Sequence, residues 1–82
     1  MAYRVVPGPR ARVQLGGFPS DALDALVGVL ADVATNPYDP LRTYPTPDPY
    51  RRWAIFAGVG FVEYRIDDAA EQVTVTDVAW TG

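Results

Sequence analysis

The side chains best suited to act on another molecule are arginines gathered in one stretch, with tyrosines beside them. Arg51 and Arg52 open a β-favouring run, Arg65 lies in the next one, and Tyr50 and Tyr64 adjoin them. A guanidinium is permanently charged and presents a planar fork of donors that suits an anion such as a phosphate, so Arg51, Arg52 and Arg65 are the charged constellation to weigh. Whether they converge depends on the hairpin that joins the two runs. A tight turn at Gly58-Val59 gives glycine the first central position that a type II′ turn demands and sets Arg52 opposite Arg65, like charges that an anion between them would reconcile. A turn at Ala57-Gly58 sets Arg52 opposite Glu63 instead, a pair worth roughly 0.2–1 kcal/mol. So small a surface gain is outweighed by backbone dihedral demand, which favours Gly58-Val59. Either placement keeps Trp53, Ile55, Val62, Tyr64 and Ile66 on one face.

Composition narrows the chemistry further. There is no Cys and no His, and all seven basic residues are Arg. These absences remove a thiolate nucleophile, a histidine base, a Schiff-base lysine and the usual zinc site. No cofactor and no metal is expected. The adjacent carboxylates Asp67-Asp68 read as turn residues, because an Asp side chain bonds nearby backbone amides. The net charge of −3 repels polyanions, so any nucleic-acid contact would rest on the arginine cluster. The 82 residues make one domain, 1–82, burying only about 60–65% of its extended surface. No run approaches the roughly 18 apolar residues of a membrane span. MAYRVVPGPR lacks the pattern of a signal peptide, so a soluble, cytoplasmic protein is expected.

The elements that must position these residues follow from periodicity. Three runs, RRWAIF, GFVEYRID and QVTVTDVAW, are rich in β-branched and aromatic residues, and in the middle one Val62, Tyr64 and Ile66 alternate with Phe61, Glu63 and Arg65. In the last, Val73 and Val75 share one parity and Val78 and Trp80 the other, which predicts a bulge near Asp77. Upstream, Tyr3 to Val6 is a short strand closed by Pro7-Gly8-Pro9. Ala11, Gln14, Leu15 and Phe18 recur at helical spacing over about two turns before Gly16-Gly17 and Pro19. A longer helix follows, with Ser20 as N-cap, Leu23, Leu26, Val27, Leu30 and Ala34 as its apolar stripe, and an end near Thr35-Asn36. The proline-rich segment 36–50 is an extended, stiff loop whose Tyr38, Leu41, Tyr44 and Tyr50 press it onto the end of that helix. Leu26, Leu30, Trp53, Val62, Tyr64 and Val73 should be buried together. The edge strands should be Tyr3 to Val6 and the run beginning at Arg51.

This order of elements resembles the RelE/ParE toxin superfamily: a strand, a short helix with Ala11 and Leu15, the break at Phe18-Pro19, a long amphipathic helix, Asn36-Pro37, then GFVEYRID and VTVTDV. The resemblance implies an α+β fold, with two N-terminal helices (one short, one long) on one face of a four-stranded, mostly antiparallel sheet in the order β-α-α-β-β-β. It also implies a cognate antitoxin as partner. The ribosome or mRNA is a further candidate partner, and a homodimer a candidate assembly. RelE-like members cut mRNA in the ribosomal A site and ParE-like members poison gyrase. Arg52 fits one basic strand position of the RelE pattern, whereas Arg65 is not a family position but could supply the missing charge from the same sheet face. With Tyr64 to assist, the candidate catalytic residues here are Arg52, Arg65 and Tyr64, and the RNA- or anion-binding residues Arg51, Arg52 and Arg65. The chain departs from that pattern at Ala54, which occupies the next alternate basic position, at Phe61, where an arginine is common, and after Trp80, where a terminal tyrosine segment would follow. Two readings stand: a protein that acts mainly by binding a protein partner, with ribonuclease activity weak or lost, and an active ribosome-dependent mRNA endonuclease.

Overall fold

Alternation in the β-rich runs and 3.6-residue periodicity upstream produce a sheet with both helices on one side. The computed structural model describes residues 2–81. In chain order the elements are β1 (Arg4–Pro7), α1 (Pro9–Leu15), α2 (Ser20–Thr35), β2 (Tyr44–Pro45), β3 (Arg51–Phe56), β4 (Gly60–Asp67) and β5 (Gln72–Trp80). The sheet has five strands rather than four, ordered β1-β5-β4-β3-β2, because the proline-rich loop contributes the two-residue β2. β1 runs parallel to β5, with Val5 facing Val73, and the other pairs are antiparallel. Among the described residues, no helix is long and apolar enough to cross a membrane.

The β3–β4 hairpin differs from both sequence-based placements. Its loop is Ala57-Gly58-Val59, with φ of 54° at Ala57 and 73° at Gly58. Arg52 therefore pairs with Tyr64, Arg51 with Arg65 and Trp53 with Glu63. One extra loop residue changes the parity of β3, since successive side chains alternate between faces. Ala54 and Phe56 turn inward with Val62, Tyr64 and Ile66, while Trp53 and Ile55 turn outward. Gly60, opposite Phe56, has no room for a side chain: a Cβ there would meet the Phe56 ring at 2.6 Å.

The core lies between this inward face and the helices. Ala11, Leu26, Ala54, Phe56, Val62, Val75 and Val78 form its larger part, and Val33, Tyr64, Ile66 and Val73 a second part towards the C-terminal end of α2. The buried stripe of α2 is Ala22, Leu26 and Val33. It is rotated from the expected stripe, so Leu30 is half-buried and Val27 remains 65% exposed. Ser20 begins α2 without capping it; Pro19 holds the N-cap position.

A bulge between Glu63/Tyr64 and the facing β5 residues carries the parity change near Asp77, as the valine pattern required. The amide freed there is used: Gln14 Oε1 accepts from Val78 N at 2.8 Å, while Gln14 Nε2 donates to Asp77 at 2.6 Å. α1 is thereby keyed to the bulge. In the β4–β5 turn Asp67 is used locally, its Oδ1 accepting from Ala70 N at 3.1 Å, whereas the Asp68 carboxylate accepts from the distant Tyr3 and Tyr38 hydroxyls.

Candidate functional site

The sequence-selected arginines divide between the two sheet faces. Arg52 faces the helix side, where Nε donates to Thr43 Oγ1 at 2.9 Å and Nη2 to the Thr43 carbonyl at 3.4 Å. Thr43 is buried and its hydroxyl donates to the Asp39 carbonyl at 2.6 Å, so Arg52 holds the proline-rich loop against the sheet. Tyr64 beside it is fully buried and donates its hydroxyl hydrogen to the Pro37 carbonyl at 2.7 Å. Burial raises the pKa of that phenol above its ordinary value, with Thr43 and Arg52 opposing. Both side chains are therefore engaged in packing.

Arg51 and Arg65 are cross-strand neighbours on the open, helix-free face. Each has an acidic partner, Arg51 with Glu63 at 3.1 Å and Arg65 with Asp48 at 3.7 Å. Both pairs are solvent-exposed enough to be exchanged for another anion at little cost, since such pairs are worth about 0–1 kcal/mol.

Aromatic rings cross the same face. Tyr44 stacks on Trp53 with centroids 4.4 Å apart, and Trp53 meets the edge of Phe61 at 6.3 Å. The loop tyrosines thus do not all press on the long helix: Tyr44 covers Trp53, Tyr50 is half exposed and Leu41 is 93% exposed. The anchors of the loop are instead buried Pro37 and Thr43, together with Tyr38, whose hydroxyl donates to Asp68 at 2.9 Å.

A second surface lies at the other edge of the sheet. Val5 of β1 and Val27, Leu30, Ala31 and Ala34 of α2 line a shallow apolar groove of about 360 Å³. β1 is an edge strand. Arg4 N and Gly8 N donate to the Glu71 and Val75 carbonyls of the β5 side. By the alternation of a strand, Val5 and Pro7 direct their backbone groups outward, and with no N–H on proline the free donor is that of Val5. Tyr3 N is already taken by the Ala34 carbonyl at 2.7 Å. At the opposite edge β2 covers Trp53 and Arg52 of β3, so β3 is not the edge strand its position in the chain suggests. A clue to the groove lies in the sequence: α2 carries more apolar positions than one core-facing stripe uses.

No family model matches this chain and no curated protein matches it. Among solved structures, the toxin–antitoxin complex RelBE2 from Mycobacterium tuberculosis matches at 25% identity, with a TM-score of 0.83 over 99% of this chain and 100% of that chain. The chain belongs to the RelE/ParE superfamily. A variant of the E. coli toxin RelE, in complex with a peptide of the antitoxin RelBc, shares its fold at 19% identity, TM-score 0.83, over 100% of this chain and 86% of that one. In this member of the RelE/ParE superfamily the open sheet face carries Trp53, Phe61 and two acid-paired arginines, while the β1–α2 groove is lined by apolar side chains.

Proposed function

We propose that this RelE/ParE-fold protein works in a type II toxin–antitoxin system chiefly through protein–protein binding, with a cognate antitoxin docking at the β1–α2 groove and ribonuclease activity weak or lost. The groove carries the reading. An edge strand offers the amide and carbonyl of Val5 to an added strand, and the adjoining apolar wall of α2 receives the side chains of that strand. One free donor is too little to hold a partner, so the apolar wall supplies most of the affinity.

The chemistry available for RNA cleavage is poor. Arginine stays protonated and a tyrosine with a pKa near 10 is a weak base at neutral pH. Arg52 and Tyr64 are committed to Thr43 and Pro37. The endonuclease reading rests on Arg51 and Arg65, adjacent on the open face. Primer extension on programmed ribosomes separates the two. The expected result is uncut mRNA, together with a stable complex between this chain and the product of the adjacent reading frame, weakened at least tenfold by Leu30→Glu. Codon-specific cleavage that disappears in Arg51→Ala and Arg65→Ala would establish the endonuclease instead.

A further inference from the structure

The charge around the groove says what kind of segment fits it. Every charged residue of α2 is an aspartate, Asp21, Asp24 or Asp32, and none of its residues is basic. Asp32 is neutralised by Arg42 at 2.8 Å, whereas among the described residues Asp21 and Asp24 have no ion-pair partner. Helical spacing places Asp24 three residues from Val27 and seven from Ala31, on the solvent rim of the apolar wall. The other end of the groove is acidic as well. Tyr3, tied to the Ala34 carbonyl, donates its hydroxyl hydrogen to Asp68 at 2.7 Å, and Glu71 lies at the start of the β1–β5 ladder, where its carbonyl accepts from Arg4 N. The nearby cation, Arg4, bonds Gln72 on the open face at 2.7 Å. The groove is thus an apolar floor between acidic ends on a chain of net charge −3.

Resting on the docking reading above, we infer that the occupant of this groove is a cationic extended segment: small or aliphatic side chains facing Val27, Leu30 and Ala34, and Lys or Arg towards Asp24 at one end and Asp68 and Glu71 at the other. An acidic segment would bring like charges together across both ends. Opposite charge at the rim of an interface accelerates association more than it deepens affinity, and does so less as salt rises. Rate is therefore the quantity to read.

The test pans a displayed library of random linear peptides on the folded chain and measures the association rates of the recovered peptides. Val27→Glu serves as the groove-blocked control, because Val27 is 65% exposed and its replacement does not disturb the core. Recovered peptides should alternate apolar residues with Lys or Arg, lose binding to Val27→Glu, and associate roughly three- to tenfold more slowly with Asp24→Lys at low salt. Peptides that require Val27 but are neutral or acidic, or that ignore Asp24→Lys, overturn the charge assignment and leave the groove as a docking site. Peptides that bind Val27→Glu as well as the native chain, or the recovery of none that depends on Val27, overturn both.

Discussion

Tyr64 shows how a residue that resembles a catalytic group can be held by packing. Its ring fills the core beside Val33, Ile66 and Val73, and its hydroxyl is the donor to the Pro37 carbonyl, 27 residues away in sequence. Removing that hydroxyl leaves a buried carbonyl without a partner, which costs about 1–3 kcal/mol. Tyr64→Phe should lower the free energy of unfolding by that amount in urea titration while leaving partner binding at the groove unchanged. Arg52 plays a related part through Thr43. Neither role was legible in the sequence, because both depend on where the proline-rich loop comes to rest. A chain without His, Cys or Lys made Arg52, Arg65 and Tyr64 the natural candidates. The structure puts the Tyr64 phenol and the Arg52 guanidinium against the loop, and the Arg65 guanidinium on the open face beside Arg51.

Elements fared better than faces. β4 and β5 have the limits their residue patterns indicated, and the bulge near Asp77 follows from the parity change of the valines. Strong β-propensity and turn residues at both ends mark such strands locally. The orientation of β3 was not marked, because it depends on a three-residue loop in which Ala57 takes a positive φ, a conformation that alanine does not advertise. β2 was hidden too, since two residues, one of them proline, make no strand pattern by themselves. The rotation of α2 has a measurable consequence. Leu26 is 2% exposed, whereas Leu30 is half-buried beside the groove. Leu26→Ala should cost about 2–5 kcal/mol, and Leu30→Ala distinctly less, in paired thermal or urea melts. Equal losses would place Leu30 in the core.

At the scale of the molecule, tyrosines join distant segments. Asp68 in the β4–β5 turn accepts hydrogen bonds from Tyr3 near the N-terminus and from Tyr38 in the proline-rich loop. The bond to Asp68 raises the Tyr3 pKa, and burial followed by the Asp68 bond raises that of Tyr38. A phenol whose pKa is higher folded than unfolded favours the native state fully below its unfolded value, near 10, and loses that contribution as pH climbs towards the folded value. Stability measured by denaturant titration should therefore decline above about pH 10, and the decline should be shallower in Tyr38→Phe. An identical slope would show that Tyr38 is not coupled to folding.

The parallel pairing of β1 with β5 also imposes an order in time. Val5 finds Val73 across nearly the whole chain, and so distant a contact cannot close until the later segment exists. During translation the first strand leaves the ribosome long before its neighbour, and it waits without a place in any sheet. The groove beside it is made from that strand and α2. It is therefore absent from every nascent chain that has not yet released β5. A partner that recognises the groove meets the protein only after synthesis has passed that point, so interrupted products escape its attention and do not titrate it away from finished molecules.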